Sequence, residues 1–124
     1  MIENTGREIV DSVIKVHKAL GPGLLESAYQ GCLTHELKNR GHHVDLEVQL
    51  PVRYEGIEIE AGYRIDMLVN NHIIIENKAI QELLPIHKAQ LLTYLKLSEV
   101  RLGYLVNWNV PIAKNGIKRI VNNL

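Results

Sequence analysis

The residues with the clearest chemical potential close an apolar run, Ile73-Ile74-Ile75-Glu76-Asn77-Lys78. Three β-branched residues in succession are typical of a strand that is buried on both faces. Because side chains alternate along a strand, Glu76 and Lys78 point the same way. An apolar strand has no structural need for two charges at one end, and burying an unpaired charge is costly. The pattern therefore indicates a pair of residues kept for chemistry.

A third ionisable residue lies on the preceding strand. The run Tyr63–Val69 carries Asp66, and Asn70-Asn71 between the two runs is typical of a turn. A three-residue loop over 70–72 pairs Asp66 with Glu76 on one face, whereas a two-residue turn without a β-bulge sends Asp66 to the other face. An Asp on one strand and a Glu-x-Lys on the next is the skeleton of a metal-dependent nuclease site, and this interpretation requires the longer loop or a bulge.

The chemistry expected of such a site depends on a hard divalent cation. Mg²⁺ prefers oxygen ligands in near-octahedral geometry and keeps several waters. Asp66 and Glu76 offer two carboxylates, and the backbone carbonyl of Asn77 is the third candidate ligand, which would leave the Asn77 side chain free to vary. Bound Mg²⁺ or Mn²⁺ polarises a scissile phosphate and helps to deprotonate a water. Lys78 would orient that water or stabilise the negative charge that develops.

Several other polar residues are candidates for this site, and each also has a structural explanation. A second Glu-x-Lys, residues 36–38, falls in a predicted helix, where a two-residue step turns about 200° and separates the two charges on a solvated face. Glu26, in the first turn of a predicted helix, is a candidate further carboxylate, directly or through water, but a favourable position at a positive helix end also explains it. Gln90, one turn before Tyr94, would hold a phosphate or Lys78, and an ordinary amphipathic surface is the alternative. The six histidines lack the spacing of a zinc cluster.

The helices that must position these residues are marked by their ends. Thr5-x-x-Glu8 matches a capping box and predicts the start of a first helix. A second helix is predicted over about Leu24–Arg40 and ends at Gly41 in a left-handed cap. Its expected apolar positions are Leu24, Leu25, Ala28, Leu33 and Leu37. Cys32 lies among them and is expected to be a buried core thiol. A third helix is predicted over about Ile86–Leu97, with Pro85 at its start.

The strands lie between the second and third helices and after the third. Residues 44–54 alternate through Leu46, Val48, Leu50 and Val52, with Pro51 favouring a bend or an edge. Glu55-Gly56 predicts a hairpin turn, and further strands are predicted over residues 101–108 and 117–121. The short links predict a three-stranded antiparallel meander, and the helical crossover predicts a parallel strand after it. The expected fold class is α/β, with a mixed sheet flanked by helices on both faces.

Length and composition limit the possible function. A chain of 124 residues predicts a single domain, residues 1–124. The start of the chain has no signal-peptide pattern, no apolar run spans a membrane, and the lone Cys32 fits a reducing compartment, so a cytoplasmic location is expected. Fourteen basic and fourteen acidic residues cancel, which is not typical of a general nucleic-acid binder. A nuclease of this composition is expected to act on a narrow range of substrates or to rely on a protein partner for affinity.

Taken together, these segments resemble a known family. Residues 23–29, Gly-Leu-Leu-Glu-Ser-Ala-Tyr, match the Gly-x-x-Glu-x-x-Tyr signature of a bacterial and archaeal family named GxxExxY for that motif. The resemblance continues through residues 62–66, 76–78, 87–95 and 103–108, and covers about residues 5–121. That family is similar to the PD-(D/E)xK nuclease superfamily.

The resemblance implies a restriction-endonuclease-like core of helix, three-stranded meander, helix and parallel strand. By position, Glu26 matches the acidic residue of the superfamily's first helix and Asp66 its metal-binding Asp. Glu76 and Lys78 match the Glu-x-Lys pair, and Gln90 matches a later helix Gln. Ile65 replaces the Pro of the superfamily's name, and Asn77 stands where an apolar residue is more usual.

Three functions fit these observations. The first is a Mg²⁺- or Mn²⁺-dependent nuclease acting on DNA, as an endonuclease or exonuclease, with RNA as an open alternative and with a homodimer or a larger protein complex expected. The second is a catalytically inactive module that keeps the same fold and binds nucleic acid or protein. The third is a structural or regulatory subunit. The fold alone does not distinguish them.

Overall fold

The computed structural model describes residues 2–124. Its helices are α1 (Ile2–Leu20), α2 (Glu26–Asn39) and α3 (Pro85–Ser98), and a short 3-10 helix covers Ala113–Gly116. Its strands are β1 (Val44–Gln49), β2 (Val52–Tyr54), β3 (Ile57–Ile59), β4 (Arg64–Val69), β5 (Ile73–Lys78), β6 (Leu102–Asn107) and β7 (Ile117–Val121). None of the helices within this range is long and apolar enough to cross a membrane.

Five strands form the central sheet in the order β1-β4-β5-β6-β7. Strand β4 is antiparallel to β1 and to β5, β6 is parallel to β5, and β7 is antiparallel to β6. The predicted meander, the parallel strand after the crossover helix and the mixed α/β sheet are therefore confirmed. The hairpin at Glu55-Gly56 joins β2 to β3, which form a separate two-stranded ribbon beyond the break at Pro51.

The sheet separates two apolar layers. Helices α1 and α2 pack on one face through buried side chains such as Ile9 and Leu33, while α3 packs on the other face through Leu91 and Leu95. All six residues of β6 and the first five of β5 are buried. This is the environment that an uninterrupted apolar run predicts, because strands at the centre of a sheet have both faces covered by helices.

The loop between β4 and β5 decides the geometry of the site. The pairs Met67–Ile75 and Val69–Ile73 leave residues 70–72 as a three-residue loop, in which Asn70 and Asn71 both have positive φ. Asparagine tolerates this left-handed region better than most residues. The register, continued one step beyond Met67, sets Asp66 opposite Glu76, as the three-residue prediction requires.

Three local predictions are wrong. Thr5 is not a helix cap, because α1 already begins at Ile2, whose side chain packs partly against the core. Helix α2 begins at Glu26, so Leu24 and Leu25 precede it and remain 43% and 77% exposed. Cys32 is exposed rather than buried. The inward stripe of α2 is Tyr29, Leu33 and Leu37, and Cys32 lies about 100° around the helix from Leu33.

Candidate functional site

Two hydrogen bonds between side chain and backbone connect strand β4 at Asp66 with strand β5 at Glu76 and Asn77. The Asp66 N–H donates to Glu76 Oε2 at 2.8 Å, and the Asn77 N–H donates to Asp66 Oδ2 at 2.9 Å. Each carboxylate therefore accepts a main-chain donor from the neighbouring strand. This arrangement fixes both carboxylates on the same side of the sheet, where the negative charge of Asp66 acts on Glu76.

The environment makes the charged form of both acids unfavourable. Glu76 is 6% exposed, and burial, followed by the negative charge of Asp66, raises its pKa to about 8. The pKa of Asp66 is also raised, mainly by burial. The ammonium of Lys78 opposes both shifts, which places it within electrostatic reach of the two carboxylates. A buried acid and a half-buried acid with one nearby cation form a site that an added positive charge would stabilise.

The backbone around Lys78 is held from three directions. The Trp108 N–H donates to the Lys78 carbonyl at 2.9 Å, and the Ala79 N–H donates to Glu26 Oε2 at 3.2 Å. The side chain of Asn107 then binds both the N–H and the carbonyl of Ile80, at 3.1 and 3.0 Å. Lys78 is therefore presented from a fixed strand end, and Glu26 joins the site through the chain that follows Lys78.

The Asn77 side chain is not free to vary. It points to the opposite face of the sheet, is 1% exposed, and accepts a hydrogen bond from Trp108 Nε1 at 2.9 Å. Its Nδ2 donates to Gln30 Oε1 at 3.2 Å and contacts the sulfur of Met67 at 3.3 Å. The N–H and C=O of one strand residue point to the same side. Because the Asn77 N–H reaches Asp66, its carbonyl faces β4 as well.

Glu47 is a further acidic residue near the site, and sequence reasoning missed it. It lies on β1 between the pairs Leu46–Met67 and Val48–Ile65, and so opposite Asp66. Its negative charge raises the pKa of both Asp66 and Glu76. Gln30 Nε2 donates to Glu47 Oε2 at 3.0 Å.

The backbone of Glu47 explains why simple alternation failed here. Its φ is +50°, which is uncommon for any residue with a side chain. The strand changes face at this point, because Val44 packs toward α1 and α2 while Val48 packs toward α3. Leu46 is left 43% exposed. The signal that would have found Glu47 is the pairing of β1 with β4, once Asp66 is recognised.

Gln90 forms no hydrogen bond with Lys78 among the described residues. No hydrogen bond to its side chain is formed by any residue in the described range 2–124, and the side chain lines a cleft of about 410 Å³ beside α3. Tyr94 lines the same cleft, and its pKa is raised by burial and then by the charge of Glu76. Tyr94 therefore lines the cleft and also lies within electrostatic reach of Glu76, whereas Gln90 lines the cleft only.

The available oxygen ligands suit a hard divalent cation that takes only a few ligands from the protein. Within residues 2–124, no three His, Cys, Asp or Glu side chains converge as a closed cage. Two carboxylates and a carbonyl from Asp66, Glu76 and Asn77 leave several positions for water, as Mg²⁺ prefers. When bound, such an ion would polarise a phosphate oxygen and acidify a coordinated water.

The Gly-x-x-Glu-x-x-Tyr segment has a structural explanation in the loop before α2. Gly23 has φ +105°, a conformation that favours glycine. Tyr29 donates to the Gly21 carbonyl at 2.5 Å, accepts from the Leu24 N–H at 3.1 Å, and stacks on Trp108 with ring centroids 4.7 Å apart. The tyrosine therefore ties the loop that precedes Glu26 to the core.

Comparison with known proteins gives one finding. Residues 3–120 match a family model described as the PD-(D/E)XK nuclease superfamily. Searches of curated proteins and of solved structures each returned no significant match. The family match spans nearly the whole chain and includes every element that contributes to the site.

Proposed function

This chain belongs to the PD-(D/E)XK nuclease superfamily, and we propose that it is a Mg²⁺- or Mn²⁺-dependent nuclease that hydrolyses phosphodiester bonds in DNA. Nucleases of the superfamily generally use divalent metal ions, and its fold is consistent with the mixed sheet flanked by helices found here. The observation that carries the proposal is a pair of hydrogen bonds at one end of β5, in which the Glu76 carboxylate accepts the Asp66 N–H and the Asp66 carboxylate accepts the Asn77 N–H.

In this proposal, Asp66, Glu76 and the Asn77 carbonyl hold the cation, and Glu26 contributes directly or through water. Lys78 orients the attacking water and stabilises the negative charge that develops on the phosphate, because its ammonium lies within reach of both carboxylates. Gln90 contacts the substrate strand rather than Lys78. The finer assignment to the GxxExxY family rests on Gly23, Glu26 and Tyr29.

A cleavage assay tests the proposal. Single-stranded, duplex and branched DNA are incubated with the protein and Mg²⁺ or Mn²⁺, and Asp66→Ala and Lys78→Ala serve as comparison variants. We expect metal-dependent cleavage by the wild type and none above background by either variant. Activity that persists in both variants would belong to a contaminant and would overturn the proposal.

Calorimetry separates the nuclease from an inactive binding module on the same fold. The wild type is expected to bind Mn²⁺ in the absence of DNA, and Glu76→Ala is expected to lose that binding. If the protein binds DNA but Glu76→Ala binds Mn²⁺ as the wild type does, or neither binds it, the protein would be a binding module.

A further inference from the structure

A cleft of about 410 Å³ lies between the ribbon and helix α3 and has mainly apolar walls. Val52 of β2 and Ile86 in the first turn of α3 line it, together with the rings of Tyr63 and Tyr94. The two rings are 6.1 Å apart at an interplanar angle of 58°. Tyr63 is 45% exposed and Ile86 66%, so apolar and aromatic surface remains available for contact. The volume lies within the range of small-molecule sites.

Two polar side chains in the cleft have no partner of their own. Gln90 and Thr93 line it, and neither side chain hydrogen-bonds to any residue in the range 2–124. An amide and a hydroxyl each offer a donor and an acceptor. A mainly apolar site with a few such groups suits a flat ligand that carries donors and acceptors along its edge. Nucleobases are of this kind.

The cleft adjoins the carboxylates but does not resemble a phosphate site. Tyr94 forms part of its wall and lies within electrostatic reach of Glu76 and Asp66. No lysine or arginine among the described residues lines the cleft, and Arg53 on the adjoining ribbon pairs with Glu58 at 3.7 Å. The chain as a whole carries no net charge. Contacts to phosphates therefore account poorly for the affinity that a nuclease needs.

We infer that this cleft binds an unpaired nucleobase next to the phosphate held at Asp66 and Glu76, and that the substrate is single-stranded or locally unpaired. The inference rests on the proposed function and specifies its substrate class. A base in a duplex is covered by its stacked neighbours, whereas an unpaired base exposes a face to aromatic and apolar side chains. Stacking tolerates any base, so recognition here does not depend on sequence.

The test is a binding measurement that requires no cleavage. Fluorescence anisotropy is recorded in EDTA with the full chain and three probes: a short single strand, the same strand with abasic sites, and the corresponding duplex. We expect the single strand to bind about tenfold more tightly than either of the others, because stacking one base contributes roughly 5- to 150-fold.

Variants locate the effect. Tyr63→Ala and Ile86→Ala are each expected to weaken binding of the intact single strand about tenfold without changing the affinity for the abasic strand. Tyr63→Phe keeps the ring and should bind as the wild type does. Ile112→Ala is the matched control, because Ile112 is 59% exposed and lines a different cleft.

The outcomes distinguish this inference from the proposed function. Equal affinity for the intact and abasic strands, or no binding to any probe, overturns the cleft assignment even if the protein cleaves DNA. So does a base preference that Tyr63→Ala and Ile86→Ala leave intact. A base preference that depends on Tyr63, in a protein that cleaves nothing with Mn²⁺, supports the cleft and overturns the nuclease proposal.

Discussion

Glu76 accepts the backbone N–H of Asp66 at 2.8 Å, and Asp66 in turn accepts the N–H of Asn77, the residue after Glu76. Neither acid is placed by its own strand alone, because each is anchored to the main chain of the other strand. Burial still raises the pKa of both, and nearby negative charge adds to each shift, from Asp66 at Glu76 and from Glu47 at Asp66. The fold therefore holds two carboxylates in place while making their charged forms unfavourable in the absence of a cation.

The first prediction concerns stability against pH in the metal-free protein. Glu76 has a pKa of about 8 in the fold and 4.5 as its ordinary value, so the native state holds its proton more tightly. Its contribution is fully present below about pH 4.5 and is lost as the pH rises through about 8. We expect the free energy of unfolding to fall by about 2–4 kcal/mol over this window, and Glu76→Gln to remove that loss. Urea denaturation at several pH values between about 4.5 and 8 measures the free energy of unfolding.

Two comparisons sharpen this prediction. Mn²⁺ should restore wild-type stability above about pH 8 but leave Glu76→Gln unchanged, because a ligand stabilises only the state that binds it. Glu36→Gln is the matched control. Arg40 and Lys15 lower the pKa of Glu36, which is the opposite direction to the shift at Glu76. Removing the Glu36 carboxylate should therefore reduce the free energy of unfolding at neutral pH. A wild-type stability that does not change over the window would contradict the prediction.

The second prediction uses the two Glu-x-Lys segments of the chain. Lys78→Met should reduce metal-dependent cleavage by about 10²–10³, the usual effect of removing one group that stabilises developing charge. It should keep Mn²⁺ binding, because Lys78 is not one of the proposed ligands. Lys38→Met, at an exposed position in the second copy on α2, should retain wild-type activity. Initial rates on one substrate measure both variants, and equal rates would remove Lys78 from the chemistry.

Much of the fold follows from local patterns that the chain expresses strongly. The apolar run at Ile73–Ile75 marks a central strand, and Asn70-Asn71 mark a loop whose length sets the pairing of Asp66. The helix ends predicted at Pro85 and Gly41 are also found, the latter with φ +89°. In each case, the property that forms the element belongs to residues that are adjacent in sequence.

The failures share a different cause, because they depend on partners distant in sequence. The packing of Ile2 extends α1 past Thr5, and the register of β1 against β4 places Glu47 opposite Asp66. Gln30 bridges Glu47 and Asn77. Helical periodicity cannot reveal an amide that joins two strands, and an alternating strand pattern cannot reveal the residue at which a strand changes face.

The third prediction follows from the orientation of α2. Cys32 is exposed, so a thiol reagent should label the native protein at a rate close to that of the urea-unfolded chain. Cys32 is the only cysteine, and Cys32→Ser should therefore show no labelling. The measurement is the absorbance of the released thiolate over time. Strong protection in the native state would show that this face of α2 is covered.

The final prediction concerns the Asn77 side chain, which the Glu-x-Lys pattern alone leaves unconstrained. Asn77→Ala leaves the indole N–H of Trp108 without its acceptor, in a side chain that is fully buried. An unsatisfied buried donor costs about 1–3 kcal/mol, so the free energy of unfolding should fall by that amount. Trp108 is the only tryptophan, and its fluorescence maximum should shift as well. Asn115→Ala, at an exposed position, should change neither quantity. If Asn77→Ala proved as stable as the wild type, the hydrogen bonds to Trp108 and Gln30 would not be what fixes the end of β5 against the core.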